Sequence, residues 1–73
     1  MTPPDKINDI AVIYFNIGIC YQKLKINIDA KNQFTKAVEI MPNYLKPRAL
    51  RMNILKIEGE YDEALEDAKK IYE

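Results

Sequence analysis

Three groups of residues in this 73-residue chain could carry chemistry, and each lacks the neighbours that the chemistry needs. Cys20 is the sole thiol. A thiol attacks or ligates as the thiolate, which a nearby His or cation usually supplies. The chain contains no His, which also removes the commonest general base and the commonest metal ligand. One Cys excludes an intrachain disulfide and a thiolate metal cluster. Cys20 sits in an apolar stretch and is expected as a small buried hydrophobe. The second group is Glu58, Glu60, Asp62 and Glu63. These acids straddle a turn at Gly59 without the regular ligand spacing of a calcium loop. The third is Lys46, Arg48 and Arg51, a basic cluster able to meet phosphate. Nucleic-acid binders usually show a basic excess interleaved with aromatic residues. Here Lys+Arg and Asp+Glu both total eleven, so a solvated face or ion pairs with nearby acids are the expected roles. No glycine-rich phosphate loop is present. These residues predict no enzyme, no cofactor, no metal and no nucleic-acid partner.

The elements that would position these residues are all helical. Thr2-Pro3-Pro4 reads as a cap followed by proline in a first turn. A first helix is expected from about Pro4 to Leu24. Its face is Ile10, Ile13, Tyr14, Ile17, Tyr21 and Leu24, at three- and four-residue spacing. Asn27 and Asp29 are expected to mark the turn and cap of a second helix, over 28–41, with a buried stripe of Ala30, Phe34, Ala37 and Ile40 or Met41. Pro42-Asn43 breaks it. A third helix is expected over 44–58, with Pro47 in its first turn and Gly59 as its C-terminal cap. A fourth is expected over 61–72. It has Asp62 and Glu63 at its start and Lys69 and Lys70 near its end, as the helix dipole prefers. No strand pattern emerges.

The spacing Tyr14-x-x-Ile17-Gly18-x-x-Tyr21, then Ala30-x-x-x-Phe34, Ala37 and Pro42, resembles a 34-residue tetratricopeptide (TPR) repeat. Tyr14 takes the place usually held by Trp, and Ile17 that of Leu. The resemblance implies an all-α fold of antiparallel helical hairpins, a TPR-like α-solenoid of about two repeats and four helices. The chain would form a single domain, with a first repeat over 11–44 and a second, incomplete one over 45–73. Gly18 and Ala30 would be the small residues that let two helices approach, with Tyr14, Ile17, Tyr21 and Phe34 packed around them. Adding 34 reaches Arg48, Arg51, Met52, Leu55, Ala64, Ala68 and Ile71. Leu55 and Ala64 fit the pattern. Arg48 in an aromatic position predicts a partly exposed face.

The family binds proteins rather than performing catalysis, and the first helix of each repeat lines its concave groove. That geometry implies groove residues Val12, Phe15, Asn16, Ile19, Gln22 and Lys23. One repeat later come Lys46, Ala49, Leu50, Asn53, Lys56 and Ile57. For Val12, Phe15 and Ile19 two readings stand, core packing or ligand contact. The groove carries Lys23, Lys46 and Lys56 and no acid, whereas Asp62, Glu63, Glu66, Asp67 and Glu73 would lie on the outer side. A concave surface of one sign attracts a ligand of the other. The implied partner is an acidic or carboxylate-terminated peptide. Co-chaperone and adaptor TPR domains clamp such carboxylates. Asn16 and Lys46 match two clamp positions, while Leu50 stands where the clamp has Arg. Alternatively these lysines solvate a face, and the chain is a scaffold or assembly element without a peptide ligand.

No apolar run reaches the roughly eighteen residues of a membrane span, and residues 1–10 do not read as a signal peptide. A cytoplasmic, membrane-free setting is the expectation. Repeat proteins generally stack about three repeats to bury a continuous core. Two repeats would leave Val12, Phe15 and Ile19 exposed on the first helix. On the fourth, parts of Ala64, Leu65, Ala68, Ile71 and Tyr72 would be exposed. This predicts a piece of a longer array or a homo-oligomer formed through the first or fourth helix.

Overall fold

A computed structural model describes residues 4–72. Within them the chain is all-helical: α1 (Pro4–Lys23), α2 (Asn27–Ile40), α3 (Leu45–Ile57) and α4 (Tyr61–Tyr72). The expected caps at Thr2 and Pro3, and the acid at Glu73, lie outside the described residues. Successive helices pack on one another, α1 on α2, α2 on α3 and α3 on α4. The Cα envelope measures 42 × 31 × 12 Å. Helices about 10–12 Å across arranged in so thin a slab each keep a face at the surface.

The two hairpin turns are built alike. After α1, the Leu24 N–H donates to Cys20 O, Lys25 N–H to Gln22 O and Ile26 N–H to Tyr21 O. After α3, the Glu58 N–H donates to Ile54 O, Gly59 N–H to Lys56 O and Glu60 N–H to Leu55 O. Each bond of the second set lies 34 residues after its counterpart. Both turns have the six-to-one and five-to-two bonds of a Schellman cap, with one residue in the left-handed region. That residue is Lys25 (φ 65°) in the first turn and Gly59 (φ 79°) in the second. Gly59 therefore caps α3 as expected. Asn27 and Asp29 do not make the first turn: α2 begins at Asn27, its N-cap is Ile26, and no side chain caps it. The Schellman bonds satisfy the carbonyls at the end of α1, while Asp29 lies in the first turn of α2, where its charge suits the dipole.

The core sits where α1, α2 and α3 meet. Ala30, Phe34 and Ile54 are buried, with Phe15, Ile19, Tyr21 and Leu50 packed against them. Burying one side chain the size of Phe34 contributes about 1.5–3 kcal/mol. Gly18 makes the close approach possible. A Cβ there would stand 2.5 Å from Phe34 Cε1 and 2.7 Å from Cδ1. The glycine thus faces the Phe34 ring, one turn along from Ala30.

The expected inner face of α1 is rotated. Ile10, Ile13, Ile17 and Leu24 are 46%, 55%, 39% and 68% exposed, whereas Ala11 and Gly18 are buried and Phe15 and Ile19 pack inward. Ile17 therefore does not pack around Gly18. Three- and four-residue spacing finds an apolar stripe but not the neighbour that covers it. With two apolar stripes on one helix, α2 and α3 covered the one containing Phe15 and Ile19. Cys20, on the outward side, is exposed rather than buried.

Candidate functional site

Three charged residues meet where α3 packs on α4. Arg51 Nε donates to Asp67 Oδ2 at 2.8 Å, and Arg51 Nη2 donates to Asp67 Oδ1. Arg48 Nη1 reaches the same Oδ1 at 3.4 Å. Asp67 is 2% exposed and Arg48 9%. The arginines also reach back to the first hairpin. Arg51 Nη1 donates to Thr35 Oγ1 at 3.3 Å, and Arg48 Nη2 to Pro42 O at 3.2 Å. One carboxylate thus ties α3 to α4, and the two guanidiniums tie α3 to α2 and the loop after it. Arg48 Nε is buried with no hydrogen-bond partner.

This arrangement corrects two sequence expectations. Arg48 does not mark an exposed face, and Asp67 does not lie on the outer side with the other acids of α4. Asp67 falls three residues after Ala64 and four before Ile71, on the inward stripe of α4. A lone carboxylate there is tolerable because Arg48 and Arg51 stand opposite it. The expected ion pairing of the basic cluster is present. Both carboxylate oxygens are occupied, and a guanidinium does not give up its proton, so the cluster positions helices and offers no acid–base group.

The groove residues divide into two sets. Phe15, Ile19 and Leu50 converge on the core cluster. The Phe15 ring lies 6.0 Å from that of Phe34 and 5.4 Å from that of Tyr44. For Phe15 and Ile19 the core reading holds, and Val12 stays outside at 38% exposure. Asn16, Lys23, Lys46, Asn53 and Lys56 are exposed, and Gln22 is half-buried. Asn53 and Lys56 share the edge of an open cleft of about 500 Å³ with Ile57 and Tyr61. A neighbouring cleft of about 410 Å³ lies between Met52 and Lys56 of α3 and Tyr61, Leu65, Ala68 and Tyr72 of α4. Of the α4 residues expected to be partly exposed, Leu65 and Tyr72 are exposed, Ala68 and Ile71 are half-buried, and Ala64 is buried.

Other polar contacts tie elements together. Lys31 Nζ bonds Glu58 Oε1 at 2.7 Å, linking α2 to the end of α3. Lys36 Nζ lies 5.5 Å from the Tyr14 ring centroid, across α1 and α2. Glu58 is thus engaged with Lys31, and among the described residues no group of three or more His, Cys, Asp or Glu could hold a metal ion. No helix among them is long and apolar enough to cross a membrane.

Compared with known proteins, the chain matches no family model, no curated protein and no solved structure.

The Arg48–Arg51–Asp67 cluster was missed by pattern reading, although a signal existed. Arg48 and Arg51 stand 34 residues after Tyr14 and Ile17, and Asp67 stands 34 after Gln33. Two cations and an anion replacing apolar or neutral residues at matched positions of a hairpin announce a buried ion pair.

Proposed function

We propose that this chain is a TPR-like helical-repeat module that binds protein segments in a cytoplasmic setting. The observation that carries this reading is the recurrence of the Schellman turn, bond for bond, at an interval of 34 residues. That interval is the length of the repeat the sequence resembles. The ligand is an acidic or carboxylate-terminated peptide. It lies along the first helix of each hairpin and meets Asn16, Lys23, Lys46 and Lys56. The exposure of all four supports this, as does the cleft beside Asn53 and Lys56. Val12, Gln22 and Asn53 flank the ligand, while Phe15, Ile19 and Leu50 support the floor from below. Catalysis is no part of the proposal, since no His and no nucleophile–base pair is available.

Calorimetric titration with a peptide ending in acidic residues tests the groove. Affinity is expected to fall as salt rises, because exposed charges are screened within about 10 Å at 0.1 M. It is expected to drop further in Lys46→Glu. Binding that ignores both salt and Lys46 removes the electrostatic account.

A second reading is that of an assembly element whose hairpins stack on further hairpins. The exposed apolar residues at the two ends of the molecule favour it: Ile10, Ile13 and Ile17 on α1, and Leu65 and Tyr72 on α4.

A further inference from the structure

The junction between the two hairpins of this chain shows what fits its two exposed ends. Four sets of residues meet across that junction. Lys31 pairs with Glu58, Thr35 with Arg51, Phe15 with Tyr44, and Ala30 and Phe34 with Ile54. The first residue of each set belongs to the first hairpin. If a hairpin stacked on α4 as the second hairpin stacks on the first, the same sets would recur. Residues of the first hairpin would advance by 34, and those of the second would step back by 34.

The substitution gives Leu65 with Leu24, Ala49 with Ile10, and Ala64 and Ala68 with Cys20. Leu65 and Leu24 are both more than half exposed, and Ile10 and Cys20 are exposed. The ion pair inside the chain is thereby replaced by two leucines that water now covers. The remaining set is Lys69 with Ile17, where a lysine stem can lie along an isoleucine and leave its ammonium in water. The apolar residues on the outer face of α1 and the apolar surface of α4 are thus matched by the chain's own repeat geometry.

We infer that α1 of a second copy of this chain docks on the α3–α4 face, head to tail, continuing the packing of the second hairpin on the first. The occupant is specific. A hairpin like the second one would bring Arg51 and Glu58 against Lys69 and Leu65, whereas α1 offers Ile17 and Leu24 at those positions. The two surfaces differ, so the contact is heterologous and does not close on itself, and copies add in a line. This rests on the assembly reading and is independent of any peptide in the groove.

Sedimentation equilibrium from about 1 μM to about 1 mM, the range of weak to moderate association, is the test. The weight-average mass is expected to climb beyond twice the 8.5 kDa of the monomer. Leu24→Glu and Leu65→Glu alter exposed positions, and each alone is expected to sediment as a monomer with the parent's helical content. Mixed in equal amounts they are expected to form a dimer and stop, because one good face remains on each. A parent that stays monomeric throughout overturns the inference, as does a Leu65→Glu or Leu24→Glu chain that still associates alone. A tandem fusion of two copies separates the inference from the reading beneath it. If the fusion melts higher than the single copy while free copies stay apart, stacking survives and self-association does not. If neither occurs, both fall.

Discussion

Replacing Asp67 by Ala removes the one anion between two buried cations. Breaking a buried pair by deleting one partner typically costs about 3–5 kcal/mol, because the charge left behind is uncompensated. Here two guanidiniums are left. The side chains of Arg48 and Arg51 retain 11% and 18% exposure, so water relieves part of the penalty, and about 3 kcal/mol is expected. For 73 residues, about 0.05–0.15 kcal/mol per residue gives a total stability of about 4–11 kcal/mol. The loss is at least a quarter of that. It corresponds to a fall of about 12–24 °C in melting temperature at about 4–8 °C per kcal/mol. Urea denaturation followed by far-ultraviolet circular dichroism reads it directly, provided the slope is unchanged. A double-mutant cycle with Arg51→Ala should give a coupling of about 0.5–3 kcal/mol. The graft Arg48→Tyr with Arg51→Ile and Asp67→Gln installs the residue types of Tyr14, Ile17 and Gln33. It should recover most of the loss, since exchanging a buried ion pair for packed apolar groups is often neutral or stabilising. If Asp67→Ala lies within about 1 kcal/mol of the parent, the range of an exposed pair, the cluster does not hold α3 to α4.

Gly18→Ala gains about 1 kcal/mol of helix propensity but sets a Cβ 2.5 Å from the Phe34 ring. Overpacking costs about 1–3 kcal/mol, so melting temperatures should fall in the order Gly18, Ala, Leu; a Gly18→Leu chain that melts with the parent would rule out the contact. Lys25→Gly should stabilise the first turn by up to about 1 kcal/mol, because a left-handed residue other than glycine is strained. Gly59→Ala should destabilise the second turn by a similar amount although nothing lies within 4 Å of the added carbon; equal and opposite shifts in urea midpoint check both. Glu58→Gln, which breaks the partly exposed bond to Lys31, should cost less than about 1 kcal/mol in the same titration and lose its effect in high salt.

Much of the fold was legible because its determinants are local. Pro42-Asn43 ends α2 and Gly59 ends α3 through backbone chemistry that any neighbourhood must obey. Asp62, Glu63, Lys69 and Lys70 announced the polarity of α4. The first turn was harder to read, since Lys25 adopts a left-handed conformation that lysine does not advertise. The candidate site was legible by half. Asn16, Lys23, Lys46 and Lys56 are exposed as expected, whereas Phe15, Ile19 and Leu50 belong to the core.

The sequence by itself determined four helices, the places where they stop and the 34-residue interval between like turns. These depend on dihedral preferences and hydrogen bonds within a few residues of each other. Tertiary structure alone decided which stripe of α1 is covered, because both stripes are apolar and only the positions of α2 and α3 distinguish them. It also decided that Asp67 is buried. Nothing near Asp67 in sequence offsets its charge, and the guanidiniums that do so arrive from Arg48 and Arg51, one helix earlier.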